Sequence, residues 1–390
     1  MTIQIGIGFS QHYNATKAAQ EAAEQAKKKL NQERIDLAII FSTANYDPQE
    51  ILPITYAILE NTKLVGCSVA AIILPDRLET QGVGILLVNA EFTKFETGSV
   101  SYLTFQDIQL AGNMLAKNSI TDFSEQHRKL LFYFVSNLLT NNTSFVKGIK
   151  ERLGPNFPVL GVASSDAHNK PSFQFHNNIV IDQGASAVLF GGNVHWGASC
   201  KHGWRPLGKP RYIEKTDQNI IKTIDGQKAV SIYEEYFGAE SQELNASPFG
   251  RINLRYPLGI YLEEEKEYLI RNVIKVNEDG SLVCQDEIPN GARVHLMIGS
   301  KDSFLESVRD ATAKIKEQLQ GRKAKMILVF ESLKRCKLLG KTIWQEFQII
   351  QNTLGEIAPV FGMCSDGEVF SFESGQTYLQ NESILILAFC

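Results

Sequence analysis

The chain has 390 residues, 44% hydrophobic and 21% charged, with a formal net charge of −4. That length exceeds what one core usually supports, so two domains are expected. The slight acidity and the lack of a basic tract argue against nucleic-acid binding. No apolar run reaches the roughly 20 residues of a membrane-spanning helix, and residues 2–9 lack the charged start of a signal peptide. A cytoplasmic protein is expected. Its six cysteines (67, 200, 284, 336, 364 and 390) form no CxxC and point to reduced thiols rather than a disulfide framework.

In chain order, residues 15–30 are rich in strong helix formers, with Asn14 as N-cap, and their alanine-lined face predicts close packing on a sheet. A strand–helix–strand–strand cassette then recurs. Its first copy runs from the apolar stretch 36–42 through a helix at 54–59 to Lys63–Ser68, which contains Gly66. The second runs from 129–136 through 145–153 to Pro158–Asp166, around Gly161. A loop-rich segment is expected at 191–215, followed by the turn Asp225–Gly226, a helix at 229–237 and a strand at 267–276. Residues 277–280 form a turn, 281–284 return as a strand, and 293–298 is a further strand. An amphipathic helix at 303–319 leads to the third copy, from 325–332 through 344–354 to Pro359–Glu368, around Gly362. Each copy returns to an apolar run, at 84–88, 187–190 and 383–388.

A weaker fourth copy is expected at Tyr256–Ile260, because the marker glycines Gly66, Gly161, Gly259 and Gly362 then fall roughly 100 residues apart. The expected fold is α/β (mixed α+β), in two modules built from these cassettes and divided near residue 225, as 1–225 and 226–390. Strand ends in such sheets open onto ligand crevices. Small polar groups after each glycine would line a pocket if several ends converged.

These residues also carry a family resemblance. Val65–Ser68, Cys200–Trp204 with Pro206–Gly208, Ile224–Ala229 with Tyr233, and Tyr256–Gly259 resemble the FIST N-terminal and FIST C-terminal modules. So do Ile270–Asn272, Ile288–Gly291, Val329–Ser332 with Arg335, and Gly367–Glu368, and together they cover nearly the whole chain. The resemblance implies a sensory module that binds small ligands, with amino acids the proposed class, similar to the input domains of bacterial signalling proteins. An output partner is implied, since no kinase, cyclase or F-box segment is attached. Two departures stand out: Phe330-Glu331-Ser332 where the family tends to have Phe-Ser-Cys, and Gln380–Ser383 where it has His-Asn-x-Thr.

The candidate ligand residues are Cys67, Ser68, Ser164, Ser165, Asp166, His202, Trp204, Arg271, Arg335, Ser365, Asp366 and Glu368. Ser365–Glu368 reads equally as a ligand-facing turn, able to hold an ammonium group, or as a solvated loop. Arg271 and Arg335 suit a carboxylate through their planar forks, or else form structural ion pairs with Glu368 or Glu331. His202–Trp204 and Trp196 offer an aromatic wall, although tryptophan also commonly fills domain interfaces. Cys67 and Cys364 raise nucleophilic catalysis, yet no histidine adjoins either in sequence; inert core thiols explain them more simply. Neither His195, Cys200 and His202 nor His168 and His176 fit a closed zinc pattern. No phosphate-cradling or dinucleotide motif is complete, so no cofactor is expected. The leading function is a sensor of a small zwitterionic molecule. A Cys- or Ser-dependent hydrolase or acyltransferase and a protein-interaction scaffold are the alternatives.

Overall fold

The computed structural model describes residues 3–60, 62–101, 107–120, 123–124, 127–137, 139, 141–165, 172–245, 250–355 and 358–390. The chain is mixed α+β. Three cassettes share one topology. In each, the first two strands pair in parallel, and the returning strand pairs antiparallel with the first. The parallel pairs are Leu37–Thr43 with Leu64–Val69, Arg128–Val135 with Val159–Ser164, and Met326–Ser332 with Val360–Ser371. The returning strands are Val83–Ala90, Gly184–Gly192 and Ile384–Phe389. The intervening helices are Pro48–Ile58, Asn142–Leu153 and Ile343–Leu354.

The marker glycine has one steric reason in every copy. It lies opposite Ile40, Tyr133 or Val329 across the parallel ladder. A β-carbon at Gly66 would stand 1.9 Å from the Ile40 carbonyl oxygen, and one at Gly362 would stand 1.7 Å from that of Val329. At Gly161 it would meet the Tyr133 ring at 2.5 Å. The glycines therefore admit the neighbouring strand, and the ligand is not what approaches them.

The first copy builds a six-stranded sheet, in the order Ile3–Ser10, Val83–Ala90, Leu37–Thr43, Leu64–Val69, Phe173–His176, Ile179–Asp182. The second and third copies share another sheet, joined back to back where Val159–Ser164 pairs antiparallel with Val360–Ser371. These two sheets pack face to face. Phe41 and Val65 of one meet Phe132, Phe134, Leu328, Phe330 and Phe361 of the other. Stacked rings tie the copies together, Phe41 on Phe361 at 5.1 Å and Phe132 on Phe330 at 4.9 Å. Helices cover the outer faces. The alanine face of Ala15–Leu30 lies on Ala38, Ile40 and Ile85, as its composition predicts, and Asn14 caps it. Helices Ile108–Ser119 and Asn142–Leu153 cover one half of the shared sheet, and Lys301–Gln318 with Ile343–Leu354 the other. Burial on both faces explains why cassette strands read as continuous apolar runs.

A third sheet is antiparallel throughout, in the order Glu267–Arg271, Leu258–Leu262, Arg293–Ile298, Arg205–Asp217, Ile220–Ile224, Leu282–Cys284, Val273–Val276. Three expectations are corrected in it and beside it, where Trp196–Lys201 pairs with Ile384–Phe389 of the shared sheet. The expected fourth cassette is absent there, because Leu258–Leu262 has an antiparallel neighbour on each side. The segment expected to be loop-rich contains the strands Trp196–Lys201 and Arg205–Asp217. The second of these is mostly solvent-exposed, carries Pro206 and Pro210 and changes register, so it lacks the apolar pattern of a core strand. The single strand expected at 267–276 is two, broken at Asn272, whose backbone N–H donates to Asn381 Oδ1 at 3.3 Å. Residue 225 falls in the turn between Ile220–Ile224 and Gln227–Lys228, inside this sheet.

Candidate functional site

The carboxyl ends of the cassette strands converge. Ser165, just past the second strand of the second copy, accepts a hydrogen bond from the Ala70 N–H of the first copy at 3.2 Å. The same hydroxyl donates to the Cys364 carbonyl of the third copy. The Cys364 N–H closes the junction by donating to the Ala71 carbonyl at 2.9 Å. One buried serine thus touches all three copies.

A cavity of about 520 Å³ opens at this junction. Thr43 and Val69–Ala71, at the strand ends of the first copy, form one side. Cys364 of the third copy adjoins them, with Asn45, Leu78, Thr80 and Gln81 at the rim. Helix Leu333–Leu339, which follows directly from strand Met326–Ser332, supplies Leu333, Cys336 and Lys337. The lining mixes an apolar floor with hydroxyl, amide and thiol groups and one ammonium. Burial lowers the pKa of Lys337, and the nearby Asp366 carboxylate opposes that shift.

Of the residues singled out in the sequence, Ser165 sits at the junction, and Cys364 in the wall. Ser68 lies beneath, accepting from the Phe173 N–H at 2.8 Å. Cys67 is buried between the sheets with Sγ 3.4 Å from Met363 Sδ, and burial pushes its thiol well up. Ser164 donates to the Val135 carbonyl at 3.0 Å. Asp166 and His168 lie outside the described residues. The turn expected at Ser365–Glu368 is instead an interruption in the strand Val360–Ser371, where the register shifts between Ser365 and Gly367. Ser365 and Glu368 point inward; Ser365 donates to one Glu368 carboxyl oxygen at 2.5 Å, and Ser383 donates to the other. Burial pushes Glu368 up to about 8.

The other candidates surround a second, buried polar cluster that does not line the cavity. Arg335 is fully buried, 2.6 Å from Glu331 Oε1 and 2.6 Å from Glu346 Oε1, and donates to the His202 carbonyl at 2.5 Å. Burial and the neighbouring Glu331 charge push the Glu346 carboxyl far up. Arg271, also buried, donates to the Leu379 carbonyl at 2.7 Å and lies 3.9 Å from Asp286. Trp204 packs edge-on against Phe304 and donates from its indole to the Glu382 carbonyl at 3.2 Å. His202 accepts from the Trp204 N–H at 2.9 Å and stands 3.3 Å from Glu267. Trp204 therefore fills an interior interface and is not part of the cavity wall.

Helix Leu333–Leu339 joins the two regions. On its other side Lys334 reaches Asn272 Oδ1 at 2.9 Å, the Asn253 carbonyl at 3.2 Å and Glu382 Oε1 at 3.3 Å. Asn272 links strands Glu267–Arg271 and Val273–Val276 of the antiparallel sheet, so this helix connects the cavity with that sheet. Sequence reasoning missed Thr43, Asn45, Thr80, Gln81, Cys336 and Lys337. The cassette rule looks past the glycine of the second strand, whereas Thr43 ends the first; Cys336 and Lys337 directly follow the singled-out Arg335.

All six cysteines are free. Burial raises the thiols of Cys67, Cys200, Cys284 and Cys336, the opposite of what an activated nucleophile needs.

The FIST N domain model matches residues 36–227, and the FIST C domain model matches 229–371. The chain belongs to the FIST family. FIST domains form a sensory family of signal transduction, of the small-ligand type. This FIST protein is 22% identical over 384 residues, covering 94% of each chain, to a Mycobacterium tuberculosis protein described as uncharacterized. A Mycobacterium bovis protein, described in the same way, is 21% identical over 380 residues, with 94% of each chain covered. Among solved structures, cyanuric acid hydrolase from A. caulinodans aligns over 99% of both chains, at 7% identity and a TM-score of 0.38. PurLQS from Thermotoga maritima aligns over 99% of this chain and 72% of its own, at 7% identity and a TM-score of 0.24. Scores this low carry no argument about the site. Among the described residues, no helix is long and apolar enough to cross a membrane.

Proposed function

We propose that this FIST protein senses a small carboxylate of the amino-acid class, bound in the cavity at the cassette ends, and that a separate output protein reads the bound state. The observation that carries this reading is the cavity between the strand ends of the first and third copies, braced by Ser165 of the second. Lys337 would hold the carboxylate as a charge-assisted partner, and the side chains of Asn45, Thr80 and Gln81 would serve the remaining polar atoms. Ser68, Ser164, Ser365 and Glu368 form the frame beneath. Arg271 and Arg335 hold the surrounding interior through their buried partners.

Helix Leu333–Leu339 provides the route outward. A ligand drawn onto Lys337 would bias this short helix, and Lys334 would pass the bias to Asn272 and the antiparallel sheet. A partner binding one placement better than the other would then register occupancy.

A thermal-shift screen against amino acids and small carboxylates tests the reading. A ligand at 100 times its Kd adds about 2.7 kcal/mol. Selective stabilisation by one amino-acid class is expected, with Lys337→Ala lowering affinity for it about tenfold or more, in line with the ~1.5–3 kcal/mol of a charged hydrogen bond. No response to any carboxylate, or unchanged affinity in Lys337→Ala, would refute it.

A further inference from the structure

Two thiols from different elements meet on the cavity wall. Cys336 lies on helix Leu333–Leu339 and Cys364 in strand Val360–Ser371, with their sulfurs 2.9 Å apart. Cys336 is partly exposed, Cys364 is fully buried, and both line the cavity. The other core thiols have different neighbours: Cys67 meets Met363, and Cys200 meets Ser383.

We propose that Cys336 and Cys364 form a reversible disulfide site opening into the ligand cavity, oxidised by small organic disulfides that enter it. A disulfide needs a sulfur separation near 2.05 Å, so the two atoms must close by about 0.9 Å. Cys364 is held on three sides. Its N–H donates to the Ala71 carbonyl, its carbonyl accepts from Ser165, and its backbone pairs with Glu331 in the parallel ladder. Cys336 belongs to a seven-residue helix beside open cavity space, so the helix is the element that moves. Leu333 and Lys337 travel with it, and the cavity narrows. Oxidation would thus couple redox state to ligand access.

The chemistry balances in two exchanges. The Cys336 thiol loses its proton and attacks one sulfur of the small disulfide, expelling one small thiolate and leaving a mixed disulfide. Cys364 then loses its proton and attacks the Cys336 sulfur, expelling the second small thiolate. Two protein thiols and one small disulfide become one protein disulfide and two small thiols. Burial holds the Cys336 thiol up, so it is not an activated nucleophile: the exchange is slow at neutral pH and its rate rises with pH.

The purified full chain is incubated with 2-hydroxyethyl disulfide, quenched with acid, digested and mapped by mass spectrometry. A peptide cross-linking Cys336 to Cys364 is expected, abolished by dithiothreitol and absent in Cys336→Ser. Persistence of the small adduct on Cys336, or full alkylation of both thiols in urea after exposure, would overturn the proposal. The cross-link is read without ligand, so its failure is distinct from a failure of the sensor reading. If the sensor reading also holds, the oxidised chain binds the screening ligand at least several-fold more weakly than the reduced one.

Discussion

Ser165→Ala tests whether the junction of the three cassettes contributes to the fold. The serine is 1% exposed, and its hydroxyl serves a neighbour from each of the other two copies. Truncation leaves the Ala70 N–H without an acceptor in a buried place, which costs about 1–3 kcal/mol. It also removes the donor to the Cys364 carbonyl, a net hydrogen bond of about 0.5–1.5 kcal/mol. A loss of about 2–4 kcal/mol is therefore expected from equilibrium urea unfolding, read as a lower midpoint with unchanged m. Amide exchange at Ala70 and Cys364 should quicken at the same time, because both amides belong to the junction. A loss under about 0.5 kcal/mol with unchanged exchange at Ala70 would refute the reasoning, since the three ends would then be held by sheet packing alone.

Further outcomes are expected elsewhere in the chain. Glu368 is pushed by burial from its ordinary 4.5 to about 8, so the folded state holds an extra proton between those values. Its contribution to stability is complete below about 4.5 and is lost as pH rises through about 8. Glu368→Gln should flatten the fall in Tm between pH 6 and 8 while costing little at pH 6, and an unaltered slope would count against a neutral Glu368. Gly362→Ala places a β-carbon 1.7 Å from the Val329 carbonyl oxygen, so the parallel pair must part. A loss of several kcal/mol in urea unfolding is expected, beyond the roughly 1–3 kcal/mol of ordinary overpacking, and a near-neutral variant would mean the ladder gives way easily. The Lys337→Ala affinity change and the Cys336–Cys364 cross-link are two more measurable outcomes, each with its own assay.

Much of the architecture was legible in the chain because local patterns and tertiary environment agreed. Strands buried on both faces must be apolar throughout, so the three cassettes stood out as matching runs, and each marker glycine marked a steric need of its parallel ladder. The alanine face of residues 15–30 and its Asn14 cap were equally local. The antiparallel sheet was read less well. Its exposed, proline-bearing strand Arg205–Asp217 has no apolar period, and the break at Asn272 is made by Asn381, more than a hundred residues away.

For the site, the sequence by itself determined where polar groups follow each cassette strand, and so drew attention to Ser165 and Cys364. Only the tertiary structure decided which of those groups meet. Hydrogen-bond geometry brings Ala70, Ser165 and Cys364 together across three copies, and helix Leu333–Leu339 adds Cys336 and Lys337 to the cavity. It likewise directed Arg335 away from the cavity, because two buried carboxylates and a carbonyl hold its guanidinium in the interior. Residue type states which charge a side chain can satisfy. Which partner satisfies it depends on desolvation and distance, and these exist only once the sheets have packed.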